Sequence, residues 1–317
     1  MSSPDSEWGS SSSPRSEHPE EACGTGLTRS REARPAWEGP SGPWDRVDWA
    51  DGTPSHLVVV PVKDDARHLE RLLALLAEQT LAPLEVVVVD DGSTDDSAEV
   101  ARAFGARVVV HEGSGIPAST AFGFDAAEGD VLARLDADSQ PGPDWIARLS
   151  GHFADPTVGA VTGPGRFVEL SPVPRLLARV VYMDAYFALM GSALSHWPLF
   201  GSNCAIRRSA WREIAEEMHR EDSYVHDDVE ISVHLGVRHR IVLDRHLEVG
   251  ISARPFGAAR DMMRRLDRAL HTLRRHPGLG DPVLRWTHRV RRSRIARLQR
   301  IAASRRAIAA RADRTRD

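Results

Sequence analysis

Between residues 57 and 135 the chain alternates two hydrophobic patterns. Residues 57–62 (LVVVPV) and 84–89 (LEVVVV) are near-continuous apolar runs rich in β-branched side chains, the pattern of strands buried on both faces. Between them Leu69, Leu72, Leu73, Leu76 and Ala77 recur at helical spacing and predict a helix over 65–79. The second run ends in Asp90-Asp91-Gly92-Ser93-Thr94-Asp95, a turn that opens a helix through about Phe104. Residues 107–110 predict a third strand, 118–127 a helix, and 131–135 a fourth strand that runs into Asp136-Ala137-Asp138. Strands alternating with helices indicate βαβ units and a mostly parallel sheet. In such sheets ligands sit beyond the carboxyl ends of the strands. Three of the four predicted strands end there in polar or acidic clusters: Lys63-Asp64-Asp65, Asp90-Asp91 and Asp136 with Asp138.

The second half is less regular. Residues 173–194 predict a helix with Leu176, Leu177, Val180, Val181, Met183 and Phe187 on an apolar side. Residues 203–207 predict a short strand, with Ser209 as cap of the next helix. A helix is predicted over 227–235, and strands over 241–243 and 247–251. From Gly257 onward the pattern is Arg-rich helix, broken at Pro277-Gly278 and Pro282. At the other end, residues 1–53 hold ten Ser, six Pro and six Gly with no apolar period, the composition of a disordered segment. Trp44 and Trp49 are the exceptions, expected to pack on the folded part. The chain therefore divides into a disordered segment 1–53, a catalytic domain 54–256 and a basic helical extension 257–317.

Composition narrows the classes. No run approaches the roughly 20 apolar residues of a membrane span, and the start lacks the apolar core of a secretory signal. The expected location is the cytoplasm. Cys23 and Cys204 are the only cysteines and have no CxxC partner, so neither a disulfide framework nor a structural zinc site is expected. The net charge of −4 hides an asymmetry. Residues 254–317 carry 19 Arg and five acids, a net of +14, so the rest carries −18. A basic tail on an acidic body points to an anionic partner or to folding back on the body.

Three acidic groups can do chemistry. Asp136 and Asp138, two residues apart past a strand end, can converge on a hard cation such as Mg²⁺ or Mn²⁺, or be solvated turn residues. Asp90-Asp91 at a strand-to-helix junction can cap the helix or accept hydrogen bonds from a ribose or base. Asp227-Asp228-Val229-Glu230 opens a predicted helix, where carboxylates cap or, if buried, act as a base. No Gly-x-Gly-x-x-Gly follows a strand and no Walker A lysine occurs, so neither phosphate cradle is supported.

Together, Val58–Asp65, Val87–Asp95 and Gly129–Asp138 resemble the family 2 nucleotide-sugar glycosyltransferases of the GT-A fold. Residues 201–208, 226–232 and 252–254 resemble later motifs of the same family, so the likeness covers about 57–256. It implies an α/β, GT-A-like, Rossmann-type sheet flanked by helices. By position, Pro61, Asp65 and Asp91 fall where the family holds the nucleoside, with Arg134 beside them. Asp136 falls where ribose and metal are contacted, and Asp138 matches the principal metal ligand. Asp228 matches the catalytic base, with Asp227 and Asn203 on the acceptor side. The implied reaction is metal-dependent inverting transfer from a UDP- or GDP-sugar to an acceptor hydroxyl. The implied cofactor is Mn²⁺ or Mg²⁺.

There are departures from the family pattern. Lys63-Asp64 stands where Tyr or Arg then Asn is usual, and the Glu-Asp pair is Asp227-Asp228. The Gln-x-x-Arg-Trp of processive synthases is absent, since Arg285-Trp286 lacks the Gln, which points to adding one or a few sugars. Residues 283–310 set Leu284, Ile295, Leu298, Ile301 or Ala302, and Ile308 among arginines. Such a tail can lie on an anionic membrane at the inner face and meet a lipid-linked or cell-envelope glycan acceptor, or it can pack on the acidic body. Nucleic acid is disfavoured because aromatic interleaving is nearly absent. The competing readings are a retaining GT-A transferase, a nucleotidyltransferase on a similar sheet, and an idle module whose tail binds membrane or nucleic acid.

Overall fold

The computed structural model describes residues 43–44, 53–111, 115–253, 259–278, 281–287 and 289–290. Four parallel strands come first: β1 (His56–Val62), β2 (Glu85–Asp90), β3 (Arg107–Val110) and β4 (Val131–Arg134). Their connections are α1 (Ala66–Ala77), α2 (Ser97–Ala103) and α3 (Ile116–Ala126). Two short strands, β5 (Gln140–Pro141) and β7 (Gly165–Phe167), flank α4 (Trp145–Phe153) and β6 (Val158–Thr162). Then come α5 (Pro172–Ala178), a π-helical turn (Arg179–Asp184), α6 (Ala185–Leu194), β8 (Cys204–Arg207) and α7 (Arg208–Arg212). The described part closes with α8 (Asp227–Leu235), β9 (Arg240–Leu243), β10 (Val249–Ile251) and α9 (Ala259–Arg275).

The main sheet has the order β3-β2-β1-β4-β8-β6-β9, and a second sheet has β5-β10-β7. β8 runs antiparallel to both β4 and β6, while β9 is parallel to β6. The mostly parallel, helix-flanked sheet is the expected GT-A-like class. Alternation within the valine runs explains how both faces are covered. Val58, Val60, Val86 and Val88 pack with Leu69, Leu72, Leu73 and Leu76 of α1. Leu57, Val59, Val87 and Val89 face the other way, with Phe124, Trp211, Ile231 and Leu235. Trp44 packs on the first face, and its indole donates to the Gly105 carbonyl at 3.0 Å. Trp49, most of 1–53 and the tail from 291 onward lie outside the described residues.

Four expectations change. The pattern missed α4 and β6, both buried. Ser209 does not cap α7, because the helix already begins at Arg208. The 173–194 helix is one continuous stretch only with a π turn in its middle. That stretch, Pro172–Leu194, is long and apolar enough to cross a membrane by length and composition, with mean hydropathy 1.2. Arg175, Arg179 and Asp184 interrupt the apolar run in the sequence and hid this.

Close packing of α3 on the sheet depends on Gly123. A Cβ there would come within 2.4 Å of Val59 Cγ1 and 2.7 Å of Val89 Cγ2. Overpacking of this kind costs about 1–3 kcal/mol. Gly123→Ala is therefore expected to lower the unfolding free energy by that amount, read as a lower urea midpoint with an unchanged m-value, despite alanine's better helix propensity.

Candidate functional site

The parallel register puts the ends of β1, β2 and β4 at one edge, since Val62 pairs with Asp90 and Val59 with Arg134. Each strand stops in a polar turn. After β2, Gly92 takes φ 73° and Asp90 Oδ1 accepts the Ser93 N–H at 2.8 Å, so Asp90 serves the turn. Asp64, at φ 50°, accepts from the Thr94 N–H (2.7 Å) and hydroxyl (3.1 Å), which ties the β1 turn to the β2 turn. That leaves Asp65 and Asp91 to face the space between. Lys63 Nζ donates to the Asp91 carbonyl at 2.9 Å and lies 3.7 Å from its carboxylate.

A cleft of about 390 Å³ lies beyond these ends. Pro61, Asp65, Asp91, Asp136 and Asp138 all line it, as do Lys63, Ser119, Tyr182, Ser202 and Arg265. Four carboxylates from three strand ends thus surround one space. The donor set is oxygen, which fits a hard divalent cation and not a soft one. Asp136 is held at both oxygens, by Arg134 Nη2 at 2.9 Å and by the Ser202 hydroxyl at 2.5 Å. Its N–H donates to Ser139 Oγ at 3.1 Å.

The other sequence-selected residues stand behind the cleft wall. Arg134 is 3% exposed. Its guanidinium bridges Asp136 and Asp227, so it has no free face for a nucleotide, and the structure gives it a holding role. Burial alone would lower its pKa, but the carboxylates of Asp227 and Asp136 keep it above its ordinary value. Asn203 is fully buried. Its amide accepts from the Trp145 indole (2.9 Å) and donates to the carbonyls of Leu247 (2.5 Å) and Pro164 (3.3 Å). It joins β8, α4 and the second sheet, and does not reach the acceptor side of the cleft.

Asp227 and Asp228 open α8 and are almost wholly buried. Asp227 also accepts from the Thr120 hydroxyl at 3.1 Å. Asp228 accepts the Gly201 N–H at 2.9 Å and lies 2.5 Å from His226 Nδ1. Burial raises the Asp228 pKa, yet His226, the Gly201 N–H and Arg134 outweigh it and hold the carboxyl below the ordinary range. Burial opposes charge on His226, and Asp228 outweighs that too, so the imidazole sits above its ordinary value. The pair lies beneath the Gly201-Ser202 segment. Sequence reasoning did not single out Ser119, Ser202 and Arg265, which line the cleft, or Thr120 and Ser139, which hold Asp227 and Asp136. Ser202 lies within the 201–208 motif, and the others carry no motif of their own.

With this geometry in hand, likeness to known proteins can be weighed. The chain is 38% identical over 184 residues to a pre-mycofactocin glycosyltransferase of Mycobacterium tuberculosis, covering 52% of this chain and 37% of that protein. It is 35% identical over 102 residues to an undecaprenyl-phosphate 4-deoxy-4-formamido-L-arabinose transferase of Pseudomonas syringae, covering 29% of this chain and 30% of that one. The chain therefore spans about a third of the length of these curated relatives. Among solved structures, a mannosyltransferase from Pyrobaculum calidifontis in complex with GDP-Man and Mn²⁺ superposes with a TM-score of 0.55 at 21% identity, covering 79% of this chain and 72% of that one. S. aureus TarS 1-349 in complex with UDP-GlcNAc gives 0.50 at 17%, covering 63% and 59%. Residues 57–215, half of the chain, match the model of glycosyl transferase family 2, and the chain belongs to that family.

Proposed function

We propose that this chain is a metal-dependent, inverting, non-processive glycosyltransferase that moves a sugar from a UDP- or GDP-sugar to an acceptor hydroxyl. The observation that carries the reading is the convergence of Pro61, Asp65, Asp91, Asp136 and Asp138 on one cleft. The GDP-Man and Mn²⁺ of the Pyrobaculum structure support it. In this reading Pro61, Asp65 and Asp91 hold the nucleoside, and Asp138 with Asp136 would hold Mn²⁺ or Mg²⁺. Such a cation neutralises charge on the diphosphate as it departs. The acceptor oxygen attacks the anomeric carbon as the bond to the diphosphate oxygen breaks, and the electron pair leaves with the diphosphate. By position Asp228 is the base that takes the hydroxyl proton, and it does so once the Gly201-Ser202 segment that covers it gives way to the acceptor. Attack opposite the leaving group inverts the anomeric centre, and product stereochemistry distinguishes this from retention.

Asp138→Asn is expected to abolish transfer and to remove the metal-dependent part of nucleotide binding. In the wild type, one nucleoside diphosphate with Mn²⁺ raises apparent stability by about 2.7 kcal/mol at a hundred times its dissociation constant. Full activity in Asp138→Asn would remove the metal assignment.

The Asp228–His226 pair sets an expected pH profile. Asp228 lies below its ordinary value of about 3.9, so its charge is lost only as pH falls through that depressed value. His226 lies above its ordinary value, so its positive charge is lost only as pH rises through that raised value. kcat/KM should show a basic limb displaced upward from that of an ordinary histidine, which His226→Gln removes. An unchanged basic limb in that variant would detach His226 from the reaction.

We take the acceptor to be lipid-linked, reached at an anionic membrane surface. The name of the Pseudomonas relative, an undecaprenyl-phosphate transferase, supports this. So does the helix beside the cleft. Val173, Leu176, Leu177, Val180 and Val181 share one helical stripe and are 52–79% exposed. Tyr182 of the next turn lines the cleft. The exposed Arg264 and Arg265 of α9, at the start of the basic extension, add positive charge, and Arg265 also lines the cleft. Burying a leucine side chain is worth about 1.5–3 kcal/mol. Leu176→Ser with Leu177→Ser should therefore weaken co-sedimentation with phosphatidylglycerol vesicles by about tenfold or more and leave transfer to a soluble acceptor intact. Equal sedimentation of both proteins would exclude this face.

A further inference from the structure

A second cluster of ionisable groups lies farther along α8 than Asp227 and Asp228, and the reaction does not use it. Glu230 and His234 are one helical turn apart on α8 and are 1% and 4% exposed. His276, 5% exposed, follows the end of α9. His219 comes from the loop before α8. Glu230 Oε1 lies 2.6 Å from His219 Nδ1 and 3.5 Å from His276 Nε2. His276 Nε2 lies 3.0 Å from His234 Nε2. One ligand atom each from His219, Glu230 and His276 fall within 4.8 Å of one another.

The outer nitrogens fix what the inner ones offer. His276 Nδ1 is 2.7 Å from the Thr272 carbonyl, an atom that only accepts, so it carries the proton. His234 Nδ1 is 2.8 Å from a Glu217 carboxylate oxygen in an ion-pair contact, and Glu217 is in turn held by Arg238 at 2.5 and 3.3 Å. A neutral His276 then has its one proton on Nδ1 and a lone pair on Nε2, which faces the Glu230 carboxylate and His234 Nε2. A positive centre there satisfies both, and it is either an extra proton or a metal ion.

The spacing favours the metal. Ligands about 2.0–2.1 Å from a tetrahedral zinc lie about 3.3 Å apart; Glu230 Oε1 and His276 Nε2 are 3.5 Å apart, and with His219 they offer ligand atoms that all lie within 4.8 Å of one another. Imidazole with carboxylate is a donor set that zinc prefers to the hard cations. Histidines whose second nitrogen donates to a carbonyl or carboxylate are the usual second shell of such a site. Access exists as well: His219 is partly exposed and lines a cavity of about 940 Å³ bounded by residues 215–223 and Arg275.

We infer that His219, Glu230 and His276, with His234 against His276, form a binding site for a zinc-class divalent cation, separate from the carboxylate cleft. The ion would pin α8 to the end of α9 and to the loop before α8. It would thereby fix the helix whose first turn carries Asp227 and Asp228.

The test uses the full-length protein. Wild type and Asp138→Asn, both purified without chelator, should each hold about one zinc by elemental analysis. Replacement with Co²⁺ should give the intense visible absorption of a four-coordinate site. His276→Gln and Glu230→Gln should each weaken cobalt binding by about a hundredfold or more. Asp138→Asn should not, which separates this site from the cleft. Folded wild type that takes up neither zinc nor cobalt would overturn the inference, whatever the variants do. Tetrahedral cobalt absorption that survives in both His276→Gln and Glu230→Gln would overturn it too. A pair that titrates as a single shared proton, with no metal uptake, would assign the contact to an imidazolium instead.

Discussion

One buried cation organises the catalytic half of this molecule. The Arg134 guanidinium is out of water and lies between Asp136, just past the end of the strand that carries it, and Asp227 on a distant helix. A lone charge in that position would cost several kcal/mol, and removing one partner of such a set leaves an uncompensated charge worth about 3–5 kcal/mol. The arginine therefore couples two carboxylates that are 91 positions apart in sequence. Orientation follows from this. With one oxygen held by Arg134 and the other by Ser202, Asp136 has a single disposition toward the cleft. The neighbouring Gly201 completes the arrangement. A Cβ there would meet Arg134 Nη1 at 2.7 Å, while its N–H is the donor to Asp228. Only glycine lets the chain pass this close to the guanidinium and still present that donor.

How much of this was legible in the sequence depends on whether a residue's role is local. The four parallel strands could be read because valine runs buried on both faces look the same wherever they occur. The turns after β1 and β2 could be read because Gly92 and the capping aspartates act within a few residues. Asp65, Asp91, Asp136 and Asp138 reach the cleft as their positions implied. Arg134 and Asn203 were read by position as facing a ligand, and both are wholly engaged inside. Their partners, Asp227 and Leu247, lie 93 and 44 residues away. No local pattern distinguishes an arginine that meets a phosphate from one that meets two carboxylates. α4 and β6 were missed because they lie beyond the motifs, although Pro141-Gly142-Pro143, Asp155-Pro156 and Gly163-Pro164 bound them in the sequence.

The stretch 172–194 shows a different limit. A helix read at 3.6 residues per turn keeps one face throughout. The π turn at 179–184 adds a residue to that turn and changes the phase. Val173, Leu176, Leu177, Val180 and Val181 form an exposed stripe that runs into the π turn. Met183 and Phe187 are buried, and the Met183 sulfur accepts the Gly165 N–H at 3.0 Å. The same run of apolar residues thus serves solvent on one side and core on another. Tyr182 enters the cleft from the π turn, so the rim of the cleft is continuous with the exposed stripe.

α8 carries this logic furthest. All nine of its residues are buried, although four are ionisable. A helix covered on every side shows no amphipathic period, so its sequence predicts a helix only weakly. What makes it stable here is that each buried polar group has a partner from a different element. Asp227 meets Arg134 of β4, Asp228 meets the Gly201 N–H, and Glu230 meets His219. Ser232 donates to the Asp228 carbonyl and accepts the Leu199 N–H, and Val229 and Val233 pack with Ala269 of α9. The helix cannot turn about its axis without breaking partners on several sides at once. A carboxylate at its first turn is consequently fixed in space by contacts made along the rest of its length. This is how a surface as wide as the α8–α9 contact bears on the geometry of one oxygen atom behind the cleft.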